Sequence, residues 1–481
     1  MSEEQPNADY SLLQQTVTYT VGICRVDTLD KSYDSIDWFE NVIPSVVMFE
    51  VLESMEMHFK TGKCLIYDPS KIRKQIPITG NEVITIKYRN SLHGSDTPPK
   101  IVHFRIFNVQ ETQDDSKPNY PHQSYLMLNL IEFPAFEMFA IPHIYKTWDW
   151  EDDGENPQGV VISDAVKELL EDSVHNFKNW WDLEIDDTTS EDEDKVLFYS
   201  PNWTVMQSIN YLSQFAQKQG KKYPNYYFKT VQPDEEGQKP KIHFKSIYSS
   251  MDGGARPYQT QEPEQMYRDT VTGEEGPQKP EPEDGDTFDP VDTIYQYHFD
   301  WGNSNQLYAN ISGETLINWD AKESVHYLAY DFETFINEYK GLGFYSTWIE
   351  KPARDKKGVQ WNRFYACPWK KKKQVQNFMR NSMFRKYFNN SIKVDTKSHV
   401  NGLRKCGEKA RLFFTNYENE ERIDLMFSGN WICWEIRDII HGSGNAASEI
   451  TFLKDSFFVE PENPSNYVQK IDSFDDGRGA G

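Results

Sequence analysis

The sequence predicts an α+β, mainly β fold. Apolar and polar residues alternate with period two from about Val17 to Ile131. The same alternation returns from Ile294 and again from Ile423 to Ile440. Between these regions two short stretches switch to helical spacing. At 481 residues the chain exceeds the size at which one core keeps growing, so two to four domains are expected. With 13 Trp, 27 Tyr and 29 Phe, large rings must fill much of the interior.

In the first region Ile84, Ile86 and Tyr88 alternate with Thr85 and Lys87, and Val102, Phe104 and Ile106 with His103 and Arg105. Leu126, Leu128 and Leu130 continue the pattern. Gly80 and Asn81 supply turn chemistry before Glu82. This predicts a strand-rich domain over 1–135.

From Ile162 the period lengthens. Ile162, Val166, Leu169 and Leu170 predict a short helix with Ser163 or Asp164 as its N-cap. Thr204 and Gln207 have capping-box spacing, and Val205, Ile209, Leu212 and Ala216 form one apolar stripe before Gly220. These helices mark an α/β domain over 136–250. Glu191 to Asp194 reads as a solvated acidic loop.

Residues 251–290 are rich in Pro, Gly, Glu, Asp and Gln, which cannot bury enough apolar surface to offset ordering entropy, so a flexible insertion is expected. A second, discontinuous β domain is expected over 291–340 plus 412–465, interrupted by an inserted subdomain over 341–411, with a flexible tail over 466–481. The insertion carries Lys370, Lys371, Lys372, Lys373, Arg380, Arg385 and Lys386, followed by Arg404 and Lys405 and interleaved with Phe378, Phe384, Tyr387 and Phe388. Such a patch is either a solvated helix face or a docking surface for an acidic partner, another face of the same protein included.

The formal net charge is -24 and the pI is near 4.9, which disfavours general nucleic-acid binding. Cys24, Cys64, Cys367, Cys406 and Cys433 are odd in number and none has C-x-x-C spacing, so reduced thiols and a reducing cytosol are expected. The polar start, Met1 to Tyr10, lacks a signal-peptide pattern. The apolar stretches Val42 to Phe49 and Phe133 to Ile144 are far short of the roughly 20 residues a spanning helix needs, so no membrane insertion is expected.

Gly341 and Gly343 form a lone G-x-G, and neither H-E-x-x-H nor G-x-S-x-G occurs. Asp149, Glu151, Asp153 and Gly154 begin like a calcium loop whose twelfth position is Val160. His143, His326 and His441 sit singly and read as structural. No catalytic, metal or cofactor-binding residue and no cofactor is therefore predicted. A glycosidase pair, two carboxylates roughly 5 to 10 Å apart, stays open because sequence does not measure that distance.

Three blocks, in order, resemble the central baseplate hub of contractile-tailed bacteriophages, the family related to the late control D protein and the type VI secretion spike base. The first is Thr61-Gly62-Lys63-Cys64-Leu65-Ile66-Tyr67-Asp68-Pro69-Ser70-Lys71-Ile72 with Ile78 to Ile86. The second is Ser200-Pro201-Asn202-Trp203, then Tyr211-Leu212-Ser213, Tyr223 to Phe228, Phe244 and Ser246. The third is Gly429-Asn430, Trp431 to His441 and Ile450 to Leu453. The insertions at Asp252 to Pro290 and after Trp369 depart from that pattern.

The resemblance implies two tail-tube-like β-barrel domains per chain and a homotrimer whose six similar units surround a lumen. It also implies a structural virion component, not an enzyme, that joins a trimeric spike protein to the tail tube or a tube-initiator protein. Contacts with tape measure and baseplate wedge proteins, and transient passage of DNA, belong to the same picture. Its location would be the tail baseplate after assembly in the host cytoplasm. The rival readings are a tail-associated cell-wall hydrolase and an acidic adaptor using the Lys370 to Lys373 patch.

Overall fold

The computed structural model describes residues 17–27, 32–68, 78–90, 98–113, 124–133, 135–140, 144–148, 159–171, 177–190, 195–196, 198–220, 226–232, 238–247, 249, 255–260, 292–300, 325–331, 362–368, 392–416, 419–424, 427–454 and 468–470. Among these residues the chain is mostly β, and one large sheet holds 13 strands.

The first region supplies β1 (Val17–Arg25), β2 (Asn41–Val42), β3 (Val46–Ser54), β4 (Thr61–Tyr67), β5 (Glu82–Asn90), β6 (Lys100–Gln113) and β7 (Ser124–Glu132). β7 alternates cleanly, with Leu126, Leu128 and Leu130 buried in one cluster with Phe49, Ile86 and Phe104. β5 does not alternate: Val83, Ile84, Thr85 and Ile86 are all buried. Its second face is covered because the Thr85 hydroxyl bonds His103 Nδ1 at 2.8 Å beneath Trp38 and Tyr33. At the turn before β5, Gly80 has φ +112°, and the Glu82 carboxylate accepts from the Thr79 and Gly80 amides at 2.7 and 2.8 Å.

The middle region contains α1 (Ala135–Ala140), β8 (Ile144–Trp148), α2 (Ile162–Glu171), β9 (Asp182–Ile185), β10 (Phe198–Trp203), α3 (Val205–Ser213), β11 (Tyr226–Val231) and β12 (Lys241–Ser246). α2 begins one residue earlier than the cap expected for it. Ser163 and Asp164 both lie inside the first turn, and Ser163 is buried, its amide donating to Thr188 Oγ1 at 2.9 Å and its hydroxyl oxygen accepting from the Thr188 amide at 3.3 Å. α3 matches its sequence signature: Thr204 accepts from the Gln207 amide and the Gln207 side chain accepts from the Thr204 amide. Both apolar stripes enter one core with Phe177, Trp180, Trp181 and Phe244.

The last region supplies β13 (Arg256–Thr260), β14 (Asp292–Asp300), β15 (Val325–Asp331), β16 (Asn362–Pro368), β17 (Ile392–Ser398), β18 (Lys409–Phe413), β19 (Thr415–Asn416), β20 (Asn419–Asp424), β21 (Gly429–His441), β22 (Ala446–Lys454) and β23 (Val468–Lys470). β13 falls within the stretch 251–290, and β17 and most of β18 fall within 341–411, both read above as insertions. Each is held by ladder partners far away in sequence: β13 runs parallel to β14 and β18, and β17 pairs with β14 and β22.

The large sheet runs β18-β13-β14-β17-β22-β21-β3-β4-β7-β6-β5-β1-β2, and β18 also pairs with β21. The six strands from β18 to β21 therefore form a ring of pairings around Tyr258, Val394, Leu412, Trp431 and Phe452. On the other side, the open end at β1 meets the β21–β22 turn. The Val17 amide donates to Gly444 O at 2.9 Å and the Tyr19 hydroxyl to Gly442 O at 3.1 Å.

The order is mirrored about the antiparallel β3–β21 ladder. Each seam strand makes a hairpin with the next strand in sequence, β4 or β22, and beyond these lie β7 or β17 and then β6 or β14. Residues 301–391 thus join β14 to β17 at the place where residues 114–123 join β6 to β7.

Candidate functional site

β21 is the strand common to both sides. Along one edge it pairs first with β18 through Gly429–Leu412 to Ile432–Lys409, then with β3 through Glu435–Ser54 to His441–Met48. Its other edge pairs with β22. At this seam Asp438 is wholly buried. Its carboxylate accepts from the Tyr88 hydroxyl at 2.6 Å, from Lys100 Nζ at 3.2 Å and from Ser448 Oγ at 2.7 Å.

The polar chain continues through Lys100, whose Nζ lies 3.9 Å from Glu53 Oε2. Glu53 accepts from the Cys406 amide at 3.2 Å and lies 3.4 Å from Lys229 Nζ, which also donates to Ser54 O at 3.0 Å. Beside it Lys60 Nζ lies 3.2 Å from Glu132 Oε1 and donates to Thr230 O, while the Thr230 hydroxyl donates to Glu132. Lys60, Lys100 and Lys229 thus balance Glu53, Glu132 and Asp438, and each of the six is at most 3% exposed.

Uncompensated burial of any one of these charges would cost several kcal/mol, which explains why they occur in reciprocal pairs. The side chains come from three regions: β3 to β7 on one side, β11 in the middle, and β21, β22 and the 399–408 loop on the other. The seam therefore locks three parts of the chain in one relative position. Burial alone would push the Glu53 carboxyl up, but the Lys229, Lys60 and Lys100 ammonium groups hold it down to about 2. A carboxylate so paired and enclosed is a structural anion and not a proton carrier for an outside substrate.

The 399–408 loop is fitted closely to this seam. Asn90 Nδ2 donates to Val400 O at 2.8 Å, and Gly402 lies against Lys100, where a Cβ would come within 3.2 Å of the Lys100 Cβ. Arg404, read above with the basic patch, is 1% exposed. It donates to His399 O at 2.6 Å and Ser398 Oγ at 2.7 Å and lies over the Tyr258 ring. It is a core group, because its guanidinium is consumed by the loop it closes. Lys370, Lys371, Lys372, Lys373, Arg380, Arg385 and Lys386 lie outside the described residues, as do the acidic run Glu191 to Asp194, His143, and Gly341 and Gly343.

Two long strands present one-sided edges. β6 pairs with β5 only through Lys100–Arg105, and β14 with β13 only through Asp292–Ile294. Beyond those points, among the described residues, each has a neighbour on one side alone, β7 and β17 respectively. On the β6 edge Phe107, the bulged residue, is 56% exposed. An extended edge with an exposed aromatic is a template for another strand. Sequence reading missed these edges because alternation reports which residues face a core and not which ladder partner is lacking.

Among the described residues no group of three or more His, Cys, Asp or Glu side chains is placed to hold a metal ion, and no helix is long and apolar enough to cross a membrane.

No known family model and no curated protein matches the chain. Solved structures do resemble it. A tail protein from Neisseria meningitidis MC58 is 8% identical with a TM-score of 0.45, over 92% of this chain and 98% of that one. The 43 kDa tail protein of prophage MuSo2 from Shewanella oneidensis is 5% identical with a TM-score of 0.43, over 91% and 99%. An E. coli component of the type VI secretion system, described as similar in structure to T4 bacteriophage tail proteins, is 9% identical with a TM-score of 0.42, over 85% and 73%. The structural neighbours are thus phage tail and type VI spike-related proteins.

Proposed function

We propose that this chain is the central hub of a contractile-tail baseplate, a homotrimer that joins a three-fold spike to a six-fold tail tube by shape and large interfaces. The observation that carries the reading is the mirrored strand order about β3 and β21. One chain holds two such arrangements, of six strands and of seven, the seventh being the two-residue β2, so three chains present six similar units to a tube while keeping three-fold symmetry for a spike. The blocks that carry the sequence resemblance support it: they contain β4, the turn into β5, α3, β11 and β21, the elements that build the two arrangements and the wall between them.

In this reading the two arrangements are the tube-like domains, flanking the α/β domain of 136–250. The one-sided edges of β6 and β14 pair with neighbouring chains as the ring closes. Acidic residues line the lumen and keep passing DNA from adhering. The partners are the spike protein, the tube or its initiator, tape measure and wedge proteins, in the baseplate of a virion assembled in the host cytoplasm. No residue is assigned a catalytic role. Light scattering on a sizing column tests this. A mass near three times 56.4 kDa, alone or mixed with a candidate spike protein, supports the hub, and a chain that stays monomeric in both samples overturns it.

A further inference from the structure

β12 reads Lys-Ile-His-Phe-Lys-Ser, and its alternate residues Ile242, Phe244 and Ser246 are buried in the middle core. Lys241, His243 and Lys245 therefore share the opposite face. That face, with Lys405 from the loop before β18, lines a cleft of about 280 Å³ whose other charged walls are Glu184 and Glu408. Glu184 accepts from His243 Nε2 at 3.0 Å and also pairs with Lys245, while Glu408 lies 3.7 Å from Arg256 Nε. Burial, followed by the Lys245 charge, pushes His243 down to about 4, so the imidazole is neutral near pH 7.

The balance inside the cleft is three ammonium groups against two carboxylates, and one of those carboxylates also faces the Arg256 guanidinium. Positive charge thus gathers in a concave site on a chain whose net charge is -24. We propose that this cleft binds the carboxylate side chains of an acidic polypeptide segment. One feature favours carboxylates over a nucleic-acid backbone: no guanidinium fork lines the cleft to grip phosphate in bidentate fashion. The site stands apart from the hub reading, since neither its walls nor its charge depends on a ring of chains.

The test is fluorescence anisotropy of the full-length protein with a labelled oligoglutamate peptide at low and near-physiological salt. Saturable binding that weakens with salt is expected, with a loss of about tenfold or more, or 1.4 kcal/mol, in the double variant Lys241→Glu, Lys405→Glu. Lys393→Glu, at a half-exposed lysine of β17 that does not line the cleft, should bind as the parent does. If charge reversal impairs folding, seen as a lowered thermal midpoint, Lys241→Gln with Lys405→Gln replaces it. A drop in solution mass that accompanies the loss of peptide binding identifies a second copy as the source of the acidic segment. An unchanged mass excludes a second copy as that source. No saturable binding, equal binding by the cleft variants, or tighter binding of a single-stranded oligonucleotide through the same lysines overturns the proposal.

Discussion

Lys100 at the start of β6 and Asp438 near the end of β21 stand 338 residues apart in sequence and 3.2 Å apart in the fold, both almost fully enclosed. Removing one partner strands the other. Asp438→Ala is expected to destabilise by about 3–5 kcal/mol in urea unfolding, because it leaves a buried ammonium and takes the acceptor from Tyr88 and Ser448. The double variant Lys100→Met, Asp438→Asn removes both charges but retains an acceptor, and should recover a measurable part of that loss.

Stability should fall on acidification in two windows. Burial pushes His103 from 6.5 down to about 3, so the unfolded chain takes up its proton first. The stability from neutral His103 is complete above pH 6.5 and is lost as pH falls toward 3. Glu53 is held from 4.5 down to about 2, so its contribution is complete above pH 4.5 and is lost as pH falls toward 2. The urea midpoint measured from pH 7 to 5 should therefore decline, and His103→Gln should flatten that slope by at most about 1.4 kcal/mol per pH unit.

Gly442 ends the β21 ladder with its amide donating to Val47 O at 2.7 Å, and a Cβ there would come within 2.3 Å of Val46 O. That neighbour is backbone and gives way only if the strand shifts. Gly442→Ala should cost about 1–3 kcal/mol, read as a lower thermal midpoint.

The α3 capping box predicts a smaller effect. Thr204→Ala should cost about 1 kcal/mol, since the Gln207 amide loses its acceptor while the buried stripe of the helix is untouched.

Phe107 offers a separation of assembly from folding. Its side chain is 56% exposed, so Phe107→Glu should change the unfolding midpoint by no more than about 0.5 kcal/mol. The same variant should lower the mass of the assembled species, because a charge then sits on the edge proposed to pair between chains.

Much of the local architecture was legible in the residues. Leu126, Leu128 and Leu130 announced β7, Gly80 the turn into β5, and Thr204 with Gln207 the start of α3, since each signal lies within a few positions of the element it sets. What was hidden depends on distance. Lys100 reads as an ordinary polar strand start, and nothing near it in sequence discloses Asp438. β13 is five residues including Pro257, too short to stand out, and is held in place by β18 about 150 positions later. The lysines of the β12 cleft were likewise scattered between positions 241 and 405, whereas the run Lys370 to Lys373 drew notice because its charges are consecutive.

β21 spans thirteen residues, and along them it trades neighbours from β18 to β3, while from Ile432 onward β22 runs on its other edge with one register shift between Cys433 and Glu435. A pull applied along its axis meets ladders on both edges at once, so many hydrogen bonds must shear together and none can be unzipped singly. This strand is the tendon between the two strand arrangements, with the buried charges around Asp438 as its anchor.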